Sequence, residues 1–154
     1  MREQLTNTLG HSCPNYTGHA KIGCLYDPAR SRKEIAIEVR RQLANYYPAK
    51  KGYKFSVTCS RGRSIDISIK AVPFKIVNPK YDPYIRNNEP RYNEAGADLL
   101  KQCEAILEAY NYSDMDGMID YFDVNYYTHV AYDYSIENAE YADIKIRTQE
   151  PVII

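Results

Sequence analysis

Hydrophobic positions along this chain fall into two stretches of helical period and several of alternating period, separated by proline-rich sequence. Ile35, Val39, Leu43 and Tyr46 recur every three to four residues, the spacing that lines one face of an α-helix. Ser31-Arg32-Lys33-Glu34 precedes them and fits a capping box, whose Ser and Glu side chains satisfy backbone amides that a first turn leaves free. Pro48 ends the helix near Tyr47. Arg32, Lys33, Arg40 and Arg41 fall largely off the apolar stripe, so the helix is amphipathic and basic.

A hairpin follows. Tyr53, Phe55, Val57 and Cys59 alternate with Lys54, Ser56 and Thr58. Past a Ser60-Arg61-Gly62-Arg63 turn, Ile65, Ile67 and Ile69 alternate with Asp66, Ser68 and Lys70. Period two predicts two antiparallel strands with one buried face, and a tip carrying Arg61 and Arg63. Pro73, Pro79, Pro83 and Pro90 exclude helix and central strand from residues 73–92, which read as an ordered or semi-ordered excursion.

The second helix begins near Asn93, with Asn as cap and Glu94 and Asp98 favourable to the helix dipole. Leu99, Cys103, Ile106 and Tyr110 form its buried stripe, widened by Leu100 and Leu107. Asp116-Gly117 predicts a turn. From Met118 the pattern is sheet-like, with Phe122, Val124, Tyr126, Val130 and Tyr132 sharing its parity. It reads as one long bent strand, or as a pair with a turn near Asp123-Val124-Asn125. Residues 141–146 are a weaker last strand. Residues 1–30, punctuated by Pro14, Gly18, Gly23 and Pro28, hold no period; they read as an arm, with a short strand over 21–26. No internal repeat is present.

The expected fold is therefore a single α+β domain over residues 1–154. Its two layers are an antiparallel sheet and two helices on one face, in the order α-β-β-α-β(-β). At 154 residues and 44% hydrophobic content the chain can bury a core without disulfides. No apolar run approaches the roughly 18–20 residues of a membrane span, and the opening MREQLTNTLG lacks the apolar stretch of a secretion signal. A cytoplasmic protein is expected, its four Cys serving as thiols or ligands.

Charge changes the picture most. Residues 1–75 hold 14 Lys/Arg against 5 Asp/Glu, and residues 76–154 hold 6 against 15, so a net charge of zero conceals halves of +9 and −9. Such asymmetry points to nucleic acid or a charged protein partner. The basic set is Arg32, Lys33, Arg40, Arg41, Lys50, Lys51, Arg61 and Arg63. If helix and hairpin tip share a side, these residues make a groove that neutralises phosphates, and Tyr46, Tyr47 and Tyr53 could stack exposed bases beside it. The plainer alternative is a solvated helix face. Sixteen Tyr, three Phe and no Trp favour half-buried faces and interfaces, and half of the Tyr lie in the acidic half between Tyr110 and Tyr141. There Asp123, Tyr126, Tyr127, Asp133 and Tyr134 could imitate a phosphate backbone and enter a basic channel of another protein. Neutralisation of the basic half, within the monomer or across a homodimer, is the plainer alternative.

The sequence also resembles a known family. The matching residues are 35–43 (IAIEVRRQL), Pro48, Lys54-Phe55-Ser56-Val57, Ser64-Ile65-Asp66-Ile67 and Asp116-Gly117-Met118-Ile119-Asp120-Tyr121. In that order, across roughly residues 26–122, they resemble the large polyvalent protein-associated domain, type twenty-nine. The resemblance implies a module of phages and mobile elements that protects them from host defences. It supplies no catalytic residue. The excursion at 73–92 and the Tyr-rich tail beyond 124 depart from the family pattern.

Other chemistry is thin. His11, Cys13, His19 and Cys24 place zinc-type ligands in one short stretch, yet their spacing matches no standard knuckle, and an arm without metal is expected. Cys59 and Cys103 lie on apolar faces. Asp114-x-Asp116 lacks the Gly and Glu of a calcium loop. No Walker loop, GxGxxG, GxSxG or HExxH is present, and His129 near Asp133 and Tyr127 reads as structural. The sequence thus points to a non-catalytic binding protein without cofactor or membrane contact. The resemblance, and not the charge pattern, implies as its partner a host defence protein or that system's nucleic acid, in the host cytoplasm. The rivals are a nucleic-acid-binding accessory module and a small enzyme of unrecognised type.

Overall fold

The computed structural model describes residues 3–60, 62–85 and 88–149. Two short strands, β1 (Leu5–Thr6) and β2 (Ser12–Cys13), pair antiparallel, and β3 (Lys21–Ile22) follows. Helix α1 (Arg32–Tyr46) starts at the expected cap, where the Ser31 side chain accepts from the Glu34 amide at 3.2 Å. The Glu34 carboxylate takes the Ser31 hydroxyl instead of the cap's own amide. Strands β4 (Lys54–Ser60) and β5 (Ser64–Ala71) form the expected hairpin, with Val57 opposite Ile67 and Cys59 opposite Ile65. Helix α2 (Glu94–Ala109) is capped by Asn93, whose side chain accepts from the Gly96 amide at 2.8 Å. Strands β6 (Tyr112–Asp116), β7 (Tyr121–Val124) and β8 (Tyr127–Tyr132) and helix α3 (Tyr134–Gln149) complete the chain.

The architecture is α+β, with α1 against β4, α2 against β8 and the two helices in contact. Ile35, Val39 and Leu43 from α1, Val57, Ile65 and Ile67 from the hairpin, and Leu99 and Cys103 from α2 form one buried core. Phe55 and Ile106, also expected there, sit half-buried at its margin.

The sheet differs from expectation. Among the described residues, β4-β5-β8 and β3-β6-β7 each form a three-stranded sheet, and β8 runs parallel to β5 with Ile67 opposite Val130. A parallel pair needs a long crossover, which the chain between Ala71 and Tyr127 supplies. Of the two readings of the segment from Met118, two strands parted near Asp123-Val124-Asn125 are found, as β7 and β8 in different sheets. The first starts only at Tyr121, because Asp120 lies at φ 57° inside the Asp116-Gly117 turn of the β6–β7 hairpin. Its first strand, β6, escapes the hydrophobic pattern because its fully buried position is Asp114.

The expected last strand over 141–146 is helix. In α3, Glu137 and Glu140 sit one turn apart and face the excursion. The Glu140 carboxylate accepts from the Ile76 and Val77 amides at 3.0 and 3.1 Å, and the buried Glu137 binds Arg91 and accepts from the Tyr92 hydroxyl at 2.6 Å. With carboxylates on its inner face, α3 has no apolar period to read. These contacts also order the excursion, whose Ile76 and Val77 are buried. Gly96 permits the crossing, since a Cβ there would lie 2.6 Å from the Ile76 carbonyl oxygen. Among the described residues, no helix is long and apolar enough to cross a membrane.

Candidate functional site

Where α1 begins, three arginines converge. Arg30 and Arg32 flank the Ser31 cap, and Arg63 comes from the β4–β5 turn, where its own φ of 59° places it in the left-handed region. Together with Ser31, Tyr112, Val124 and Asn125 they line an open cleft of about 510 Å3.

Each guanidinium is steadied by a neutral partner. Arg32 donates through Nη1 to the Ser60 and Ser64 carbonyls at 2.8 and 3.2 Å, tying the hairpin to the start of α1. Arg63 donates to the Val124 carbonyl at 3.4 Å. The Arg30 guanidinium carbon lies 5.6 Å from the centre of the Tyr110 ring. Among the described residues, none of the three forms an ion pair. A guanidinium carries five N–H donors and stays charged at any ordinary pH, so donors and charge remain for a ligand. The positive end of the α1 dipole adds to the same field. On the cleft wall, Tyr112 donates to Asp123 at 3.0 Å, and burial together with that bond pushes the phenol up to about 12. Tyr112 is therefore neutral at physiological pH, and its hydroxyl already has a partner.

The rest of the expected basic groove is dispersed. Arg40 donates to the Val57 carbonyl at 2.6 Å, covering an outward group of β4, an edge strand of its sheet. It shares a second cleft of about 630 Å3 with Lys54, Lys70 and Asp133, where Lys70 already pairs with Asp133 at 2.8 Å. Arg41 is paired with Glu38 on the outer face of α1. Lys33 is exposed on the first turn of α1. Lys50 and Lys51 occupy a single 3-10 turn beyond the far end of that helix. Arg61 lies outside the described residues. Sequence reasoning thus found Arg32 and Arg63 but missed Arg30, which stands in a stretch without period. Its signal was adjacency to a recognisable helix cap.

The acidic surface needs larger correction. Tyr126 is fully buried and donates to the Leu107 carbonyl at 2.5 Å, so it cannot face a partner. Asp123 is engaged by Tyr112 and Asp133 by Lys70. The Lys70 bond first, then the Ser135 amide, hold the Asp133 carboxyl well below the usual carboxylate range. Tyr127 and Tyr134 are exposed. What the sequence marked only as a turn and family motif, and not as a surface, is the β6–β7 tip. There Met115 stands opposite Phe122, and both are exposed together with Met118 and Ile119, beside Asp116 and Asp120.

The arm's metal-type residues are spread out. Cys13 is buried with Sγ 4.0 Å from the Lys21 carbonyl oxygen, His11 lies 3.8 Å from Asp27, and His19 and Cys24 are exposed. Among the described residues, no three His, Cys, Asp or Glu side chains converge as a metal site would require.

In comparison with known proteins, no family model, no curated protein and no solved structure matches the chain.

Proposed function

We propose that this chain is a non-catalytic binding protein that holds nucleic acid through its basic half. The observation that carries this reading is the arginine cleft, where three permanent cations share one concavity without a carboxylate among the described residues. Packing like charges together is unfavourable in the unbound protein, and an anion at the cleft relieves it. Phosphates, like carboxylates, fit the arginine fork in bidentate pairs, and nucleic acid supplies them at every nucleotide.

The setting implied by the resemblance goes with this reading: a protein of a phage or other mobile element that acts against a host defence system in the host cytoplasm. That setting rests on residues 26–122 and their order of motifs.

A second reading is favoured by the β6–β7 tip. Exposed Met115, Met118, Ile119 and Phe122 beside Asp116 and Asp120 suit a basic, partly apolar protein surface on a host defence protein. Fluorescence anisotropy with labelled single- and double-stranded DNA and RNA separates the two. Binding that Arg30→Gln weakens and Phe122→Ser leaves alone supports the nucleic-acid reading. Failure of every strand to bind at low salt sinks it.

A further inference from the structure

The shape of the arginine cleft says more than its charge. A protein that tracks a nucleic-acid backbone needs cations spaced along a groove. Past Lys33, which is exposed beside the cleft residues on the first turn, the cations further along α1 are otherwise placed. Arg40 is turned to the β4 edge and Arg41 is paired with Glu38. Lys50 and Lys51 lie past the far end of a 15-residue helix, about 22 Å away by the helix rise of ~1.5 Å per residue. The three arginines instead close on one concavity of about 510 Å3, within the range of sites that hold small molecules. Beside them stand one aromatic ring, Tyr112, and one carboxamide, Asn125, groups able to stack on a base or hydrogen-bond its edge.

We infer that the cleft is a site for a single phosphomonoester on a nucleotide, recognised end-on by Arg30, Arg32 and Arg63. A monoester carries up to two charges and three terminal oxygens, which several guanidinium forks can share. An internal diester offers one charge and two free oxygens. The same chemistry is presented by a free nucleotide and by the terminal phosphate of a strand. This inference rests on the reading of the basic half as a phosphate-binding surface, and narrows it from a backbone to an end.

The test is titration calorimetry on the full chain with four probes: inorganic phosphate, a nucleoside 5′-monophosphate, and one oligonucleotide with and without a 5′-phosphate. The phosphorylated oligonucleotide should bind about tenfold or more tighter than its unphosphorylated twin, the worth of an added charge-assisted contact. Arg30→Gln and Arg63→Gln should each erase most of that difference. Arg63 also holds the Val124 carbonyl, so Arg30→Gln is the deciding variant if Arg63→Gln loses its fold. Binding of the mononucleotide but of neither oligonucleotide would assign the site to free nucleotides and overturn the nucleic-acid reading alone. Equal affinity for both oligonucleotides, with no mononucleotide binding, would overturn the monoester site and leave the backbone reading standing. Silence from all four probes overturns both.

Discussion

Thr17 and Asp114 are 97 residues apart in sequence and joined by two hydrogen bonds, from the Thr17 amide at 3.1 Å and its hydroxyl at 2.5 Å. The Tyr16 amide adds a third at 2.7 Å, and the Asp114 side chain is fully buried. A buried carboxylate persists when donors surround it, and here the arm provides them. Gly23 lets the arm pass close, since a Cβ there would lie 2.3 Å from the Ala109 carbonyl oxygen. Asp114→Ala should therefore cost about 2–3 kcal/mol, because it strands buried donors. Limited proteolysis should then cut within residues 3–25 while the helical core survives. An arm equally resistant in both proteins would contradict this anchoring role.

The core is the firmest part of the fold. Leu43 and Ile67 are each 1% exposed, on α1 and β5. Replacing either with Ala should lower stability by about 2–5 kcal/mol in urea denaturation, from lost transfer energy and a residual cavity. A midpoint unchanged by either substitution would be inconsistent with the packing described.

Two carboxylates set opposite pH dependences. Burial, then the neighbouring Glu104 carboxylate, hold the Glu108 carboxyl above its ordinary value. The folded state therefore binds the proton more tightly than the unfolded chain, and this site costs stability as pH rises through its raised value. Asp133, held low by Lys70 and Ser135, contributes stability above the ordinary carboxylate value that is lost as pH falls through its depressed one. Glu108→Gln should thus stabilise the protein near neutral pH and make no difference in acid. Asp133→Asn should destabilise near neutral pH and converge with the wild type in acid. Denaturation midpoints from pH 8 down to pH 1 report both signs, with the Asp133→Asn convergence falling at the acid end.

Thiol reactivity should follow burial. Cys24 is exposed, whereas burial first and Glu104 second push the buried Cys103 up to about 12, and burial and Asp114 push Cys13 up as well. The thiolate is the reacting species, so a maleimide should modify Cys24 in the native protein and spare Cys13 and Cys103 until denaturant is added. Peptide mass spectrometry reads the order directly.

Legibility in the sequence followed how each element is buried. Helix α1, the β4–β5 hairpin and α2 bury apolar residues at a regular period, and their caps and turns were readable. Strand β6 and helix α3 bury Asp114, Glu137 and, in part, Glu140, so the residues that fix them look like surface. The parallel docking of β8 on β5 is a long-range pairing that no local period encodes. The candidate site divides in the same way. Arg32 and Arg63 were marked by charge, but their union with Arg30 depends on the hairpin turn lying beside the α1 cap. On the acidic side, charge and aromatic content alone misplaced Tyr126, whose parity with Val124 and Val130 had already put it on an inward face.

The most direct test of the basic cleft is the salt dependence of nucleic-acid affinity in the wild type and in Arg63→Gln. Each phosphate contact to a single strand contributes about −0.7 to the slope of log affinity against log salt concentration. The wild type should show a clearly negative slope between 50 and 200 mM salt, and the variant a slope shallower by about 0.7. An affinity that is flat across this range, or a slope that Arg63→Gln leaves unchanged, would contradict phosphate binding at the arginine cleft.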